Sequence, residues 1–315
     1  MKQTDKLGIA KAAATYLETY KISQSDFARR TGVRKEYLTY ILKGRFTYDA
    51  GKGKEGEIPT KYFSLLADFV GYTIGKVFWQ VKKTPQLATT LAVLNEAKEF
   101  GETRIIIGET GWGKSHAIGL YARKNPADVF VITVGSSDNL GDLIDKIIDA
   151  LSITTGKTKS KKLRDIAKKL KSYYDNGLSP QIIFDESEYM KQPALCSQKE
   201  LHDYLNKYCS IVLIGTNQLI TNLDKLRKRN KNGIPQFYRR VKFGIRVLPT
   251  LDRSFKLFLN DIKDKELVSF LQQNCDNYGE LHDVLVPCKR EAYRLDQPLT
   301  LDLVKQVLNL PPTSI

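Results

Sequence analysis

The sequence predicts an α/β protein: a parallel sheet flanked by helices, preceded by an all-α domain over residues 1–80 and followed by a small helical domain over residues 251–315. Two observations carry this. Between residues 84 and 250, short runs that are apolar at nearly every position alternate with longer helical stretches, and strands of that kind must be covered on both faces. On either side of that region such runs are missing and the texture is helical.

The strand-like runs are 104–108, 129–134, 181–185 and 211–215, with a further strand expected near 242–248. Helices are expected at 265–275 and 299–308. Within the first 80 residues, the stretch from Gly51 to Gly56 is too polar and glycine-rich for a helix and reads as a surface loop.

At 315 residues the chain exceeds what one core usually organises, and its 42% hydrophobic and 10% aromatic content is that of a globular protein. No stretch approaches the roughly 18 consecutive apolar residues of a membrane helix, so a soluble protein with no membrane partner is expected. Cys196, Cys209, Cys275 and Cys288 lie far apart without a CxxC pair, and the first residues lack the apolar core of a secretory signal. A reducing, cytoplasmic setting follows. The 50 Lys and Arg against 35 Asp and Glu leave a net charge of +15, which draws a protein toward polyanions, nucleic acid first among them.

Gly108, Gly113, Lys114 and Ser115 occupy every fixed position of the pattern G-x-x-x-x-G-K-[ST], directly after an apolar strand and before a helical stretch. Glycines let backbone N–H groups converge on phosphate oxygens, and the start of the following helix adds partial positive charge. The nucleotide-binding set is therefore Gly108, Thr110, Gly111, Trp112, Gly113, Lys114, Ser115 and His116, with Lys114 on the β and γ phosphates of ATP. The Ser115 hydroxyl would enter a Mg²⁺ shell made mostly of water and phosphate. The run 181–185 ends in Asp185 and is followed by Glu186. Asp185 suits outer coordination of Mg²⁺, and Glu186 suits polarising the attacking water. The next strand ends at Thr216 and Asn217; Asn217 is the candidate for positioning water, with Thr216 as alternate.

Loop, acidic pair and polar strand tip, in this order and spacing, resemble the AAA+ superfamily of P-loop ATPases. The resemblance implies a parallel AAA+ sheet and an arginine supplied by a neighbouring subunit, for which Arg239 and Arg240 are the candidates. It also implies a lid that senses nucleotide. There the chain departs from the usual pattern, with His282 where an arginine is common.

Residues 24–42 resemble the helix-turn-helix of phage repressors: Ala28 is small where two helices cross, Gly32 suits the turn, and Phe27, Val33, Leu38 and Ile41 suit a buried face. A second helix starting near Arg34 would present Arg34, Lys35, Tyr37 and Thr39 to DNA, or serve protein contact instead. Two basic runs lie inside the ATPase region. One holds Lys157, Lys159, Lys161, Lys162, Arg164, Lys168, Lys169 and Lys171; the other holds Lys225, Arg227, Lys228, Arg229 and Lys231. Neither is patterned for reading bases, so they suit phosphate contact or a solvated face.

A repressor-like domain before an AAA+ core and a short helical end is similar to the target-selection ATPases of Mu-like transposable phages and related transposition helpers. That resemblance implies an ATP-dependent, largely sequence-tolerant binder of double-stranded DNA. Such a protein forms homo-oligomeric rings or helical filaments, selects target DNA and activates a transposase. A helicase loader or replication initiator, and a nucleotide-sensing transcription regulator, use similar parts.

Overall fold

The computed structural model describes residues 1–50, 54–72, 75, 77–205 and 207–310, with backbone alone at 198–200, 202 and 203. The chain divides into two compact units, Met1–Val77 with Leu120–Val129, and Phe78–Gly119 with Phe130–Ile315.

The first unit holds α1 (Gln3–Tyr20), α2 (Gln24–Thr31), α3 (Lys35–Leu42), β1 (Thr47–Asp49), β2 (Glu55–Glu57) and α4 (Thr60–Val70). Ser23 caps α2 by accepting the Asp26 N–H at 3.1 Å. Gly32 ends it with φ 69°, its N–H turned back to the carbonyls of Ala28 and Arg29, a conformation that a side chain makes costly. Phe27, Leu38, Ile41, Phe63 and Leu66 are fully buried, so α2 and α3 meet over the face that the sequence marks as apolar. The unit is not wholly helical: β1 and β2 pair antiparallel from Thr47↔Glu57 to Asp49↔Glu55. Phe46 and Ile58, both buried, flank the pair, and the Ile58 N–H donates to the Phe46 carbonyl at 2.9 Å. That anchoring draws Glu55 and Gly56, expected in a loop, into a strand, while Gly51, Lys52 and Gly53 lie outside the described residues.

The second unit begins with α5 (Pro85–Phe100), β3 (Thr103–Ile107) and α6 (Lys114–Lys124), whose last residues count with the first unit. It continues through β4 (Val129–Thr133), α7 (Leu140–Leu151), α8 (Lys159–Asp175), β5 (Gln181–Asp185), α9 (Gln192–Leu205) and β6 (Ser210–Gly215). Then follow α10 (Asn217–Lys228), α11 (Ile234–Val241), β7 (Ile245–Val247), α12 (Lys256–Leu259), α13 (Lys265–Asn274), α14 (Tyr278–Arg294) and α15 (Leu301–Val307).

The strands form one sheet in the order β4-β5-β6-β3-β7. β3 runs parallel to both β6 and β7, and β5 runs parallel to β6. Every residue of β5 and β6 is buried. Ile105, Ile107, Ile182, Phe184, Ile211 and Leu213 join one core with residues of α7 to α11. The alternating Ile106, Ile183, Val212 and Ile214 point to the other face by the pleat, where α5 packs on β3 and β6. Double coverage is why these strands carry no polar alternation.

From β3 the chain crosses to one edge of the sheet, and from β6 it passes to the opposite edge. The carboxyl ends of β3 and β6 therefore border the crevice where such sheets take their ligands. The C-terminal helices α12 to α15 bury Phe255, Leu259, Leu267, Leu271, Leu281, Leu285 and Val304 in a core of their own. Asp264 ties two of them together, accepting the N–H of Leu267 at 3.0 Å at the start of α13 and that of Leu301 at 2.9 Å at the start of α15. No helix among the described residues is long and apolar enough to cross a membrane.

Candidate nucleotide-binding site

At the carboxyl edge of the sheet, Ile107 of β3 lies opposite Gly215 of β6, and the Gly108 N–H donates to the Gly215 carbonyl at 3.1 Å. The glycine-rich loop leaves from this point and closes at the first residue of α6, Lys114. Gly111 and Gly113 have φ of 76° and 81°, which lets the loop curl. Gly111 is doubly constrained, because a Cβ there would fall 2.1 Å from Asn277 Oδ1. Asn277 caps α14, and the Gly279 N–H donates to the Gly111 carbonyl at 3.1 Å, so the first turn of α14 rests on the loop.

Lys114 folds back over the loop, its Nζ donating to the carbonyls of Gly108 at 2.7 Å and Glu109 at 2.8 Å. Burial pushes its pKa below the ordinary lysine value, while Glu188, Asp185, Glu109 and Glu186 pull it back up. Asp185, buried at the end of β5, accepts the Glu186 N–H at 2.9 Å. Glu186 then adopts φ 56° before a short 3₁₀ turn, Ser187–Tyr189, and this reversal exposes its side chain along the cleft. Glu188, two residues further on, also lines the cleft and accepts the Thr216 N–H at 3.3 Å.

The cleft has a volume of about 480 Å³. Thr110, Gly111, Trp112, Gly113, Lys114, Ser115 and His116 line it on the loop side, with Asp185, Glu186, Glu188 and Thr216 beyond them. His282, at the lid position where an arginine is common, also lines it, together with Trp79, Lys82, Phe258 and Tyr278, which no motif announces. The Trp79 ring stacks on Phe258 at 4.6 Å and 15°, meets His282 edge-on at 5.1 Å, and Phe258 lies 5.3 Å from Tyr278. Tyr278 is held by its hydroxyl, which donates to Gln86 Oε1 at 3.1 Å; the Gln86 amide in turn donates to the carbonyls of Pro249 and Thr250 at 2.9 and 3.1 Å. One wall thus offers flat aromatic surface and the other an ammonium, a helix start and carboxylates. That is the division a nucleotide needs.

Mg²⁺ suits the donor set of Ser115 and Asp185 only in company with phosphate. Among the described residues no group of three His, Cys, Asp or Glu side chains is placed to hold an ion unaided. Asn217 does not line the cleft; Thr216 does, and the Asn217 amide donates to the Glu109 carboxylate. Arg239 is exposed on α11 and Arg240 donates to the Gln236 carbonyl at 3.1 Å, and neither lines the cleft of its own chain.

Residues 103–223 match the family model described as an AAA domain. The fold is that of a P-loop AAA+ domain. Among solved structures, the Aeropyrum pernix ORC2 protein is 16% identical with a TM-score of 0.50, the match covering 77% of this chain and 70% of that one. Cdc6p from Pyrobaculum aerophilum is 16% identical with a TM-score of 0.53, covering 79% of this chain and 72% of that one. At that identity the likeness is one of fold. No curated protein sequence matches the chain.

Outside the AAA+ domain, Arg34 is the N-cap of α3 and Lys35 its first residue, and both are exposed. Tyr37 is not turned outward as expected. It is 8% exposed, with its ring 5.0 Å from those of Tyr48 and Tyr62, because residues 37, 38 and 41 share the inner face of α3. Thr39 is half-buried and spends its hydroxyl on the Lys35 carbonyl at 2.9 Å. Within the AAA+ domain, Lys157, Lys159 and Lys161 are exposed, whereas Lys162 pairs with Asp145 at 2.5 Å. Lys225, Arg227, Lys228 and Arg229 are exposed at the end of α10, with Arg227 paired to Asp224 at 3.2 Å.

Proposed function

We propose that the protein is an ATP-hydrolysing, DNA-binding AAA+ ATPase that assembles as oligomers on duplex DNA, selects target DNA and activates a transposase. The observation that carries the first part is the cleft, where Lys114 and Ser115 stand across from Asp185, Glu186 and Glu188 beside an aromatic wall. Lys114 exchanges its two carbonyl partners for the β and γ phosphates, and the loop N–H groups cradle the same oxygens. Ser115 and Asp185 would hold Mg²⁺ together with phosphate oxygens and water, and the ion would neutralise phosphate charge there. Glu186 polarises a water toward the γ phosphorus, and the bond to the bridging oxygen of ADP breaks as phosphate leaves. Arg239 or Arg240 of a neighbouring copy supplies the remaining positive charge, since a guanidinium stays charged and makes forked contacts.

DNA binding is supported by the net charge of +15 and by Arg34 and Lys35 at the exposed start of α3. Nucleotide controls DNA binding if it favours the assembled, DNA-competent state. The transposition role rests on the resemblance of domain order; the likeness in fold to ORC2 and Cdc6p supports a second reading, a replication initiator or helicase loader. Electron microscopy of the protein on long DNA of arbitrary sequence tests the proposal. Regular filaments with ATP and none without are expected, and a purified transposase is stimulated by them. Site-restricted complexes that form without ATP, or a chain that turns over no ATP, refute it.

A further inference from the structure

We propose that the outer face of α8 is a binding rail for the phosphate backbone of duplex DNA. This rests on the DNA-binding function proposed above and assigns it a surface. Lys161, Arg164, Lys168 and Lys171 follow one another at spacings of three, four and three residues, which places them within about a quarter of the helix circumference. All four are exposed. Leu163, Ile166 and Leu170, on the opposite side, are buried in the core of the sheet.

Of the other three cations of the helix, Lys162 pairs with Asp145 at 2.5 Å, Lys169 lies over the Tyr173 ring at 4.7 Å, and Lys159 is its exposed first residue. Among the described residues none of the four outer cations has an acidic partner within 4.0 Å. Asp165 is spent on the Gly156 N–H at 3.0 Å, and Asp175 only closes the row at its far end. Beside that end, Tyr174 is 45% exposed and meets Tyr208 edge-on, with the Lys171 ammonium 4.8 Å above the Tyr208 ring.

A row of like charges at i, i+3 and i+4 works against its own helix, and a polyanion laid along it removes that repulsion. From Lys161 to Lys171 the rise is about 15 Å, against one phosphate per roughly 1.7 Å of duplex axis. The row therefore spans several phosphates. The row holds no Asn or Gln for an adenine edge and only one arginine for a guanine, so most of its contacts fall on phosphate, which carries no sequence.

The test measures binding of the full chain, with ATP, to a duplex of arbitrary sequence over a series of KCl concentrations. Each lost phosphate contact removes about 0.9 from the slope of log affinity against log salt. The K161Q/R164Q/K168Q/K171Q variant is expected to lose about 3.6 units of slope, about 0.9 for each of four contacts, and at least about tenfold in affinity at low salt. ATP affinity by calorimetry should stay at the parent value and report an intact fold. Should the quadruple variant fold poorly, K161Q/R164Q and K168Q/K171Q separately are each expected to lose roughly half as much. The control K256Q/K263Q/K265Q/K305Q, with the same change in net charge, should keep the parental slope. A parental slope in the α8 variants, or an equal loss in the control, overturns the assignment. A parent chain that binds no duplex at any salt refutes the functional proposal itself.

Discussion

Lys114 is held by two backbone carbonyls in a setting that disfavours its charge, with acids around it that restore the charge. Its ammonium is thus positioned without a carboxylate bonded to it, and phosphate meets no competing ion pair. Lys114→Ala is expected to weaken ATP binding about ten- to a hundredfold, the worth of a charged hydrogen bond, as read by calorimetry. Glu186→Gln should leave that affinity in place while steady-state turnover falls by about 10²–10⁴. Unchanged turnover in this variant would move the base to Glu188, which shares the cleft. Gly111→Ala asks a residue with φ 76° to carry a side chain into Asn277. It is expected to cost about 1–2 kcal/mol from the backbone alone, and to lower both the thermal midpoint and nucleotide affinity as α14 shifts off the loop.

Among the elements, the strands were the easiest to read, since β5 and β6 are apolar throughout and buried throughout. The β1–β2 pair was not legible, because its anchors Phe46 and Ile58 lie outside the glycine-rich stretch they close. Tyr37 shows a similar limit: whether a tyrosine at the start of a helix faces in or out depends on Tyr48 and Tyr62 from other elements. The C-terminal helices hold together partly through Asp264, whose carboxyl is kept below the usual carboxylate range by the N–H groups of Leu267 and Leu301. A depressed carboxylate contributes stability above its unfolded value, about pH 3.9, and loses it as pH falls through the folded value. Asp264→Ala should therefore lower the thermal midpoint at neutral pH, by the equivalent of about 1 kcal/mol for a lost helix cap. The gap between variant and parent should close as the pH is taken below about 4. A gap that stays constant through acid would show that the carboxylate charge is not what binds these helices.

For the molecule as a whole, the phosphate end of the cleft was readable because its residues are contiguous or sit at strand ends, where topology fixes their position. Of the aromatic end only His282 was, as the residue at the lid position where an arginine is common; Trp79 precedes the sheet in the chain whereas Phe258 and Tyr278 follow it, and only folding brings them together. Trp79→Ala is expected to weaken nucleotide binding by about 1 kcal/mol, the worth of an aromatic pair. The chain has only two tryptophans, Trp79 and Trp112, and both border this one cavity. Indole emission from the unlabelled protein is therefore an intrinsic optical gauge of ligand occupancy: it should change saturably on titration with ATP, and stay flat in Lys114→Ala over the same concentrations.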